Sequence, residues 1–397
     1  MIMSNVGYLC QNKLTSIIMS EKQLKIAIYA NELNNTSESG VKVYTRELIK
    51  NLCDLDHKNK YYAYLRENSK DQASEVDKLG KDCGLVIRKS TSILPFWTYL
   101  KFAEEIKKDS PDVLFMPIQA VPFFRKPKDI RIVVTVHDLA YRLFRSHFTF
   151  KKRILLDFHT KRAVNMADRI IAPSITTKND IIRHYGIDPK RIVVIYHGTI
   201  RLAGIEAPVS ENAVTEIKSY MPYILFVGSI QPRKNIASLI SAFDKIKAES
   251  ANGLKLVICG PKGWMWEETF EAARKSAFST DIIFTGNVSG DHLVCLYKNA
   301  KVFVMPSLYE GFGLPVVEAM EQGLPCAISN NSSLAEIGGG AVLLFDPYDI
   351  SDIAKKIKLF LDDEKVRREY SKKSLERAKF FSWEKAAKSH VDVFEGM

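Results

Sequence analysis

Short runs of β-branched and aromatic residues, each closed by turn formers, recur along the whole chain and alternate with stretches of helical period. In the first half they are "LKIAIYA" (24–30), "YYAYLR" (61–66), "GLVIRK" (84–89), "DVLFMP" (112–117), "RIVVTVHDL" (131–139), "RIIAPS" (169–174) and "RIVVIYHG" (191–198). In the second half they are "YILFVGS" (223–229), "LKLVICG" (254–260), "IIFTG" (282–286), "KVFVMPS" (301–307), "LPCAIS" (324–329) and "AVLLFD" (341–346). Runs that are apolar at nearly every position suit strands buried on both faces, and their alternation with helices is the signature of parallel sheets. The pattern predicts helices over 235–250, 289–299 and 350–361, and two doubly wound α/β domains. The weakly patterned stretch 201–222 reads as the linker. Residues 1–22, broken by Asn5, Gln11, Asn12 and Lys13, read as a flexible extension. The domains are then expected at 23–205 and 206–379.

Composition agrees with two domains: 397 residues at 46% hydrophobic are enough for two cores, because single cores rarely grow past about 250 residues. Six cysteines, Cys10, Cys53, Cys83, Cys259, Cys295 and Cys326, show no paired spacing, which suits reduced thiols. No apolar run approaches the roughly 18 to 20 residues that span a bilayer, so a cytoplasmic protein is expected.

Charge changes the picture. Residues 1–200 hold 33 Lys and Arg against 21 Asp and Glu, whereas the rest hold 24 against 25. Only the first half is basic, which points to an anionic partner there: a membrane surface, a lipid-linked phosphate or nucleic acid. Nucleic acid is set aside, for the chain has no zinc spacing, RNP-like aromatic pattern or recognition-helix signature. The segment "RLFRSHFTFKKRILLDFHTKR" (142–162) mixes Phe148, Phe150, Ile154, Leu155 and Phe158 with Arg145, Lys151, Lys152, Arg153, Lys161 and Arg162. It reads either as a basic amphipathic surface in peripheral contact with an anionic membrane or as a helix packed on its own sheet. The aromatics of 93–100 and 121–126 either flank an acceptor groove or fill the core.

The candidate chemistry lies in "SLYEGFGLPVVEAMEQGLP" (307–325). This stretch starts at the carboxyl end of a predicted strand, where ligands sit in open parallel sheets. Gly311 and Gly313 allow close backbone approach, and Pro315 suits a first helical turn, so the amides after Gly313 form an anion seat. Glu318, one turn into the helix, could accept both hydroxyls of a ribose. Glu310 would face the group beyond the phosphates. The loop "VGSIQPRKN" (227–235), after another strand, adds Arg233 and Lys234 as cations for a diphosphate. A solvated glutamate on a glycine turn and an ordinary basic turn are the alternatives.

These motifs, with "FTGNVS" (284–289), "SNNSSLAEIGGGAVLLFDPYD" (329–349), "TVHDLAYRLF" (135–144) and "IIAPSITTKNDI" (170–181), resemble retaining glycosyltransferases of family four from about Lys25 to the end of the chain. The resemblance implies the GT-B fold, two Rossmann-like domains with the donor nucleotide in the cleft between them. It implies that residues 380–397 form a last helix crossing back onto the first domain. By position it places the ribose on Glu318, the transferred hexose by Glu310, and the diphosphate on Arg233, Lys234 and the amides of Phe312, Gly313 and Leu314. Gly228 and Gly311 border that seat, Val288 lines the base pocket, Gly40 approaches the phosphates and Ser174 is a further candidate. His137 would stand near the hexose and the reaction centre, with His197 structural. The implied donor is GDP-mannose first and a UDP-hexose second, the acceptor a glycan or lipid-linked acceptor, and the outcome retention. Ser39 and Ser229 depart from the pattern, which bears on loop geometry. The one Asp-x-Asp, Asp54-Leu55-Asp56, lies in a polar turn rather than at a strand end, so no metal is expected. The rival readings are a non-catalytic sugar-nucleotide-binding partner and a GT-B epimerase or phosphorylase.

Overall fold

The computed structural model describes residues 22–34, 39–67, 76–77, 79–80, 84–91, 98, 101–126, 128–199, 211–249 and 253–397. Among the described residues thirteen strands form two wholly parallel sheets. The first holds β1 (Lys25–Tyr29), β2 (Lys60–Arg66), β3 (Val86–Ser90), β4 (Val113–Met116), β5 (Arg131–Thr135), β6 (Arg169–Ala172) and β7 (Ile192–Val194), in the order β3-β2-β1-β4-β5-β6-β7. The second holds β8 (Tyr223–Val227), β9 (Lys255–Cys259), β10 (Ile282–Gly286), β11 (Val302–Met305), β12 (Cys326–Ser329) and β13 (Leu343–Phe345), in the order β10-β9-β8-β11-β12-β13.

Strand alternation sends side chains to both faces of each sheet. In β1, Ile26 and Ile28 enter one core and Ala27 and Tyr29 the other; in β8, Tyr223, Leu225 and Val227 face away from Ile224 and Phe226. Burial on both faces explains why these strands read as unbroken apolar runs. Every strand expected from the sequence is present, most with one or two fewer residues at their ends.

One segment differs from expectation. Residues 211–220 of the predicted linker form a helix, Glu211–Tyr220, whose Ile217 and Tyr220 join the core of the second sheet; Val214, Ile217 and Tyr220 stand three apart, a helical spacing that the linker reading passed over. Residues 1–21 of the predicted extension, 201–210 of the predicted linker, and 93–97, 99 and 100 of an aromatic run lie outside the described residues. Lys22 is described and pairs with Asp112 at 2.5 Å.

The last helix, Trp383–Glu395, crosses back as expected. Its Trp383, Ala386, Ala387, Val393 and Phe394 enter the core of the first sheet beside Tyr44 and Leu48 of the Gly40–Leu55 helix. The Tyr44 hydroxyl donates to His390 Nε2 at 2.7 Å, while His390 Nδ1 donates to the Ala386 carbonyl at 2.6 Å.

Candidate active site

In each sheet the chain winds outward from one strand and then returns to that strand's other side. The point of return opens a crevice at the carboxyl ends of the two central strands. In the second sheet that crevice lies between β8, which leads into Gly228, Arg233 and Lys234, and β11, which leads into Glu310.

A single turn of 3-10 helix, Pro232–Lys234, presents both cations, closed by Asn235 in the left-handed region at φ 55°. Arg233 Nη1 donates to Glu310 Oε2 at 2.8 Å and to the Tyr309 carbonyl at 2.7 Å. Lys234 Nζ donates to Glu310 Oε1 at 2.6 Å. Lys234 and Glu310 are buried. Burial would raise the Glu310 carboxyl, but the charges of Arg233 and Lys234, with the hydrogen bond from Lys234, outweigh it and hold the group well below its usual value. Glu310 is therefore an acceptor-only carboxylate at neutral pH. The cations were expected to face the diphosphate; in the structure they also clamp Glu310. The cluster keeps one net positive charge, and Arg233 Nε is buried with no partner, so unused donor capacity remains for an anion.

The loop between the two glutamates is fixed from both sides. The Glu310 amide donates to Ser332 Oγ at 3.1 Å, and Ser333 Oγ lies 2.9 Å from the Glu310 carbonyl and 3.0 Å from that of Phe312. Gly313 has φ 103° and caps the Leu314–Glu321 helix without a side chain. Pro315 has no amide hydrogen and the Val316 amide donates to the Gly313 carbonyl at 2.9 Å, so in the first turn it is the Leu314 amide that has no intrahelical acceptor and faces an anion seat. Gly311 is required for a different reason: a Cβ there would lie 1.9 Å from the His137 carbonyl oxygen.

That contact belongs to the first domain. Ser174 Oγ donates to the Gly311 carbonyl at 2.8 Å and accepts from the Thr177 amide at 3.1 Å as the N-cap of the Ile175–Tyr185 helix. Glu336 caps the same helix from the second domain, accepting from the amides of Ile175 at 2.9 Å and Thr176 at 3.3 Å and from the Tyr196 hydroxyl at 2.7 Å. Gly40 opens its helix with Leu314 Cδ1 3.9 Å from where its Cβ would stand. His137 Nε2 lies 2.8 Å from the Pro117 carbonyl, so that nitrogen carries the proton. Burial holds the imidazole below its usual pKa, which leaves a neutral ring with Nδ1 as an acceptor. His197 is buried, stacks on Trp383 and lies 4.8 Å, ring to ring, from Phe312.

Glu318 is buried in different surroundings. Tyr297 donates to its Oε2 at 2.8 Å; burial outweighs that bond and raises the carboxyl to about 7. Val288 is half-buried and packs on the core that also holds Phe312, Val316 and Val317. Gly228 approaches Lys234, whose Cε is 3.8 Å from the position of an added Cβ. The structure thus gathers Gly228, Arg233, Lys234, Glu310, Gly311, Ser174 and His137 at one junction, with Gly40 and Leu314 close together beside it. Asp54 ends the Gly40–Leu55 helix, and Asp56 accepts from the amides of Lys58 and Asn59 and from the Tyr61 hydroxyl, a helix-end turn.

Sequence reasoning missed three participants. Tyr297 donates to Glu318, Glu336 joins the domains, and Tyr309 bonds Asp180 at 2.6 Å. Each acts through a partner distant in sequence, so no local pattern marks it.

Residues 210–377 match the family model described as glycosyl transferases group 1, and residues 39–199 match that described as glycosyltransferase family 4. Between them the two models account for both domains, and the chain belongs to these glycosyltransferases. The chain is 29% identical over 272 residues to O-antigen chain mannosyltransferase B of Escherichia coli, covering 67% of this chain and 70% of that one. It is 31% identical over 276 residues to the serotype-specific mannosyltransferase WbdA of Escherichia coli, covering 66% of this chain and 33% of that one, so it spans about a third of that longer relative. Among solved structures, sucrose-phosphate synthase of Thermosynechococcus elongatus superposes with a TM-score of 0.73 at 19% identity, covering 94% of this chain and 99% of that one. HepE of Anabaena, solved with UDP and glucose, gives 0.69 at 15%, covering 94% and 100%. The architecture is GT-B, as the sequence led us to expect.

Proposed function

We propose that the protein moves a hexose from a nucleotide diphosphate sugar to a glycan or lipid-linked acceptor, with retention and without a metal ion. GDP-mannose is the first candidate donor, supported by the mannosyltransferase relatives, and a UDP-hexose the second, supported by the UDP and glucose of a structural neighbour. The observation that carries the reading is the clamp of Arg233 and Lys234 on Glu310 at the foot of the glycine loop. Fixed cations and the Leu314 amide at the helix start stabilise charge that develops on a departing diphosphate, the role a divalent ion plays elsewhere. The C1–O bond then breaks towards an oxocarbenium-like state, and the departing phosphate oxygen receives the acceptor's proton. Glu310 accepts from hexose hydroxyls, Glu318 holds the ribose, and neutral His137 orients the sugar. The test is a thermal-shift panel of nucleotide sugars followed by NMR of the product anomer. GDP-mannose should stabilise the protein most and yield the α-anomer without added metal; an inverted product, or a requirement for metal, would reject the mechanism.

Membrane contact is part of the reading. The Phe150–Met166 helix buries His159, Thr160, Ala163 and Val164, while Phe150, Ile154, Leu155 and Phe158 are each more than half exposed. Lys151, Lys152 and Lys161 are exposed around them, whereas Arg162 turns inward to the carbonyls of Pro122 and Phe124. Among the described residues no helix is long and apolar enough to cross a membrane, so the proposed location is peripheral, on the cytoplasmic face. Apolar side chains ringed by lysine fit the interface of an anionic leaflet. Ile154→Ser with Phe158→Ser should lower sedimentation with phosphatidylglycerol vesicles about tenfold while the melting temperature holds; unchanged sedimentation rejects the surface.

A further inference from the structure

The residue before Glu310 reaches the other domain. The Tyr309 hydroxyl donates to Asp180 Oδ2 at 2.6 Å, and Asp180 belongs to the Ile175–Tyr185 helix of the first domain. The Leu139 amide lies 3.5 Å from the same hydroxyl, and the Phe144 ring is 6.0 Å from the tyrosine ring. The Tyr309 carbonyl accepts from Arg233 Nη1, which also holds Glu310, and the Leu308 amide donates to the Arg233 carbonyl at 2.9 Å. One buried residue is therefore tied to the first domain by its side chain and to the cation clamp by its backbone. The other bonds that cross the cleft act differently. Those of Ser174 and Thr177 end on the Gly311 carbonyl, those of Glu336 on helix amides, Thr176 and Tyr196, and that of Thr199 on Glu321; they hold the domains together without bonding Arg233.

We propose that Tyr309 is a positioning residue: held by Asp180 when the cleft is closed, it sets the loop so that Arg233 and Glu310 meet the diphosphate and hexose together. The inference rests on the functional reading above. With the cleft open, Tyr309 loses its acceptor and the loop is free to shift, so a sugar nucleotide bound to the second domain alone does not find the clamp in its reactive arrangement. Closure on the first domain thus gates the chemical step rather than nucleotide binding.

The test uses Tyr309→Phe, Asp180→Ala, Asp180→Asn and the double variant Tyr309→Phe with Asp180→Ala. Transfer is measured with the donor that the panel identifies, and nucleoside diphosphate affinity by calorimetry. Tyr309→Phe and Asp180→Ala should each lower kcat about tenfold, the scale of one hydrogen bond to a charged group, with nucleotide affinity within about twofold of wild type. Asp180→Asn keeps an acceptor for the hydroxyl and should retain wild-type turnover. The double variant should be no slower than either single, because both remove one bond. A wild-type kcat in Tyr309→Phe, a loss in Asp180→Asn as large as in Asp180→Ala, or multiplicative losses in the double would overturn the proposal. If Tyr309→Phe fails to fold, the two Asp180 variants decide the matter alone. If the wild type transfers no hexose, the functional reading fails by itself, and small-angle scattering decides the latch. Tyr309→Phe and Asp180→Ala must then show a larger radius of gyration than wild type and Asp180→Asn, and identical profiles overturn it.

Discussion

Glu310 and Glu318 stand eight residues apart on one motif, both buried, and their surroundings push them in opposite directions. Glu310 meets two cations and stays ionised; Glu318 meets a tyrosine and apolar walls, and its carboxyl rises to about 7. The motif tells where two acids fall, and the neighbours decide which of them carries charge at neutral pH. The difference suits the tasks proposed for them. The acid beside the diphosphate has to offset two cations while the cleft is empty, whereas the acid at the ribose needs only to accept or share hydroxyl protons. Removing each acid should therefore have consequences of different kind as well as size.

The largest effect is expected at Glu310. Glu310→Ala leaves Arg233 and Lys234 facing one another without the carboxylate that separates them. Stripping one partner from a buried ion pair costs roughly 3 to 5 kcal/mol, because the remaining charge stays desolvated. Loss of the clamp should also reduce turnover by about 10² to 10³, the scale of one preorganised electrostatic group. Urea unfolding and a transfer assay measure both, and saturating nucleoside diphosphate should restore part of the stability by supplying the missing anion. A variant as stable as wild type would mean that the two cations are not held by Glu310.

Next in size is a pH effect confined to Glu318. Its folded pKa lies above the unfolded value of about 4.5, so the folded protein binds more protons than the unfolded chain between pH 4.5 and 7. The term therefore favours folding fully below pH 4.5 and is lost as pH rises through 7. A shift of this size corresponds to about 3 kcal/mol. Glu318→Gln stays neutral and still accepts from Tyr297, so it should be more stable than wild type at pH 8 by up to that amount and nearly equal to it at pH 5. Parallel stability curves for the two proteins from pH 5 to 8 would contradict the environment described for Glu318.

Much of this was legible in the sequence, and the remainder was not for a physical reason. Strands buried on both faces, such as Lys25–Tyr29 and Tyr223–Val227, declare themselves as apolar runs, while the partly exposed edge strands Val86–Ser90 and Leu343–Phe345 were located by their β-branched or leucine residues between turn formers. Strand-end glycines, prolines and charges declare a loop, so Gly311, Gly313, Arg233 and Glu310 fell in one place. What a sequence does not display is which distant side chain shares a burial site. Glu318 looked like an ionised ribose ligand because the burial that raises its carboxyl is assembled from distant parts of the chain and leaves no local mark. The protonation of His137 could not be read because Pro117, whose carbonyl occupies Nε2, lies on a neighbouring strand end. Helix Glu211–Tyr220 was missed although Val214, Ile217 and Tyr220 stand three apart, because that one short stripe follows a stretch with no pattern.

The smallest expected effect is at Tyr297, and it separates the two causes acting on Glu318. Burial raises that carboxyl, and the Tyr297 hydroxyl, donating at 2.8 Å, lowers it. Tyr297→Phe keeps the ring and removes the donor, so the carboxylate loses its stabilising bond and the pKa should climb further, by roughly one unit for a hydrogen bond to a charged group. The fall in stability across neutral pH should then shift upward by about the same amount. Nucleotide affinity at pH 7 should drop about tenfold at most if the ribose requires the ionised acid, and should recover as pH rises, since the binding carboxylate is still present. In Glu318→Gln that recovery with pH should be absent. Identical pH profiles for Tyr297→Phe and wild type would assign the shift to burial alone and leave Tyr297 as packing.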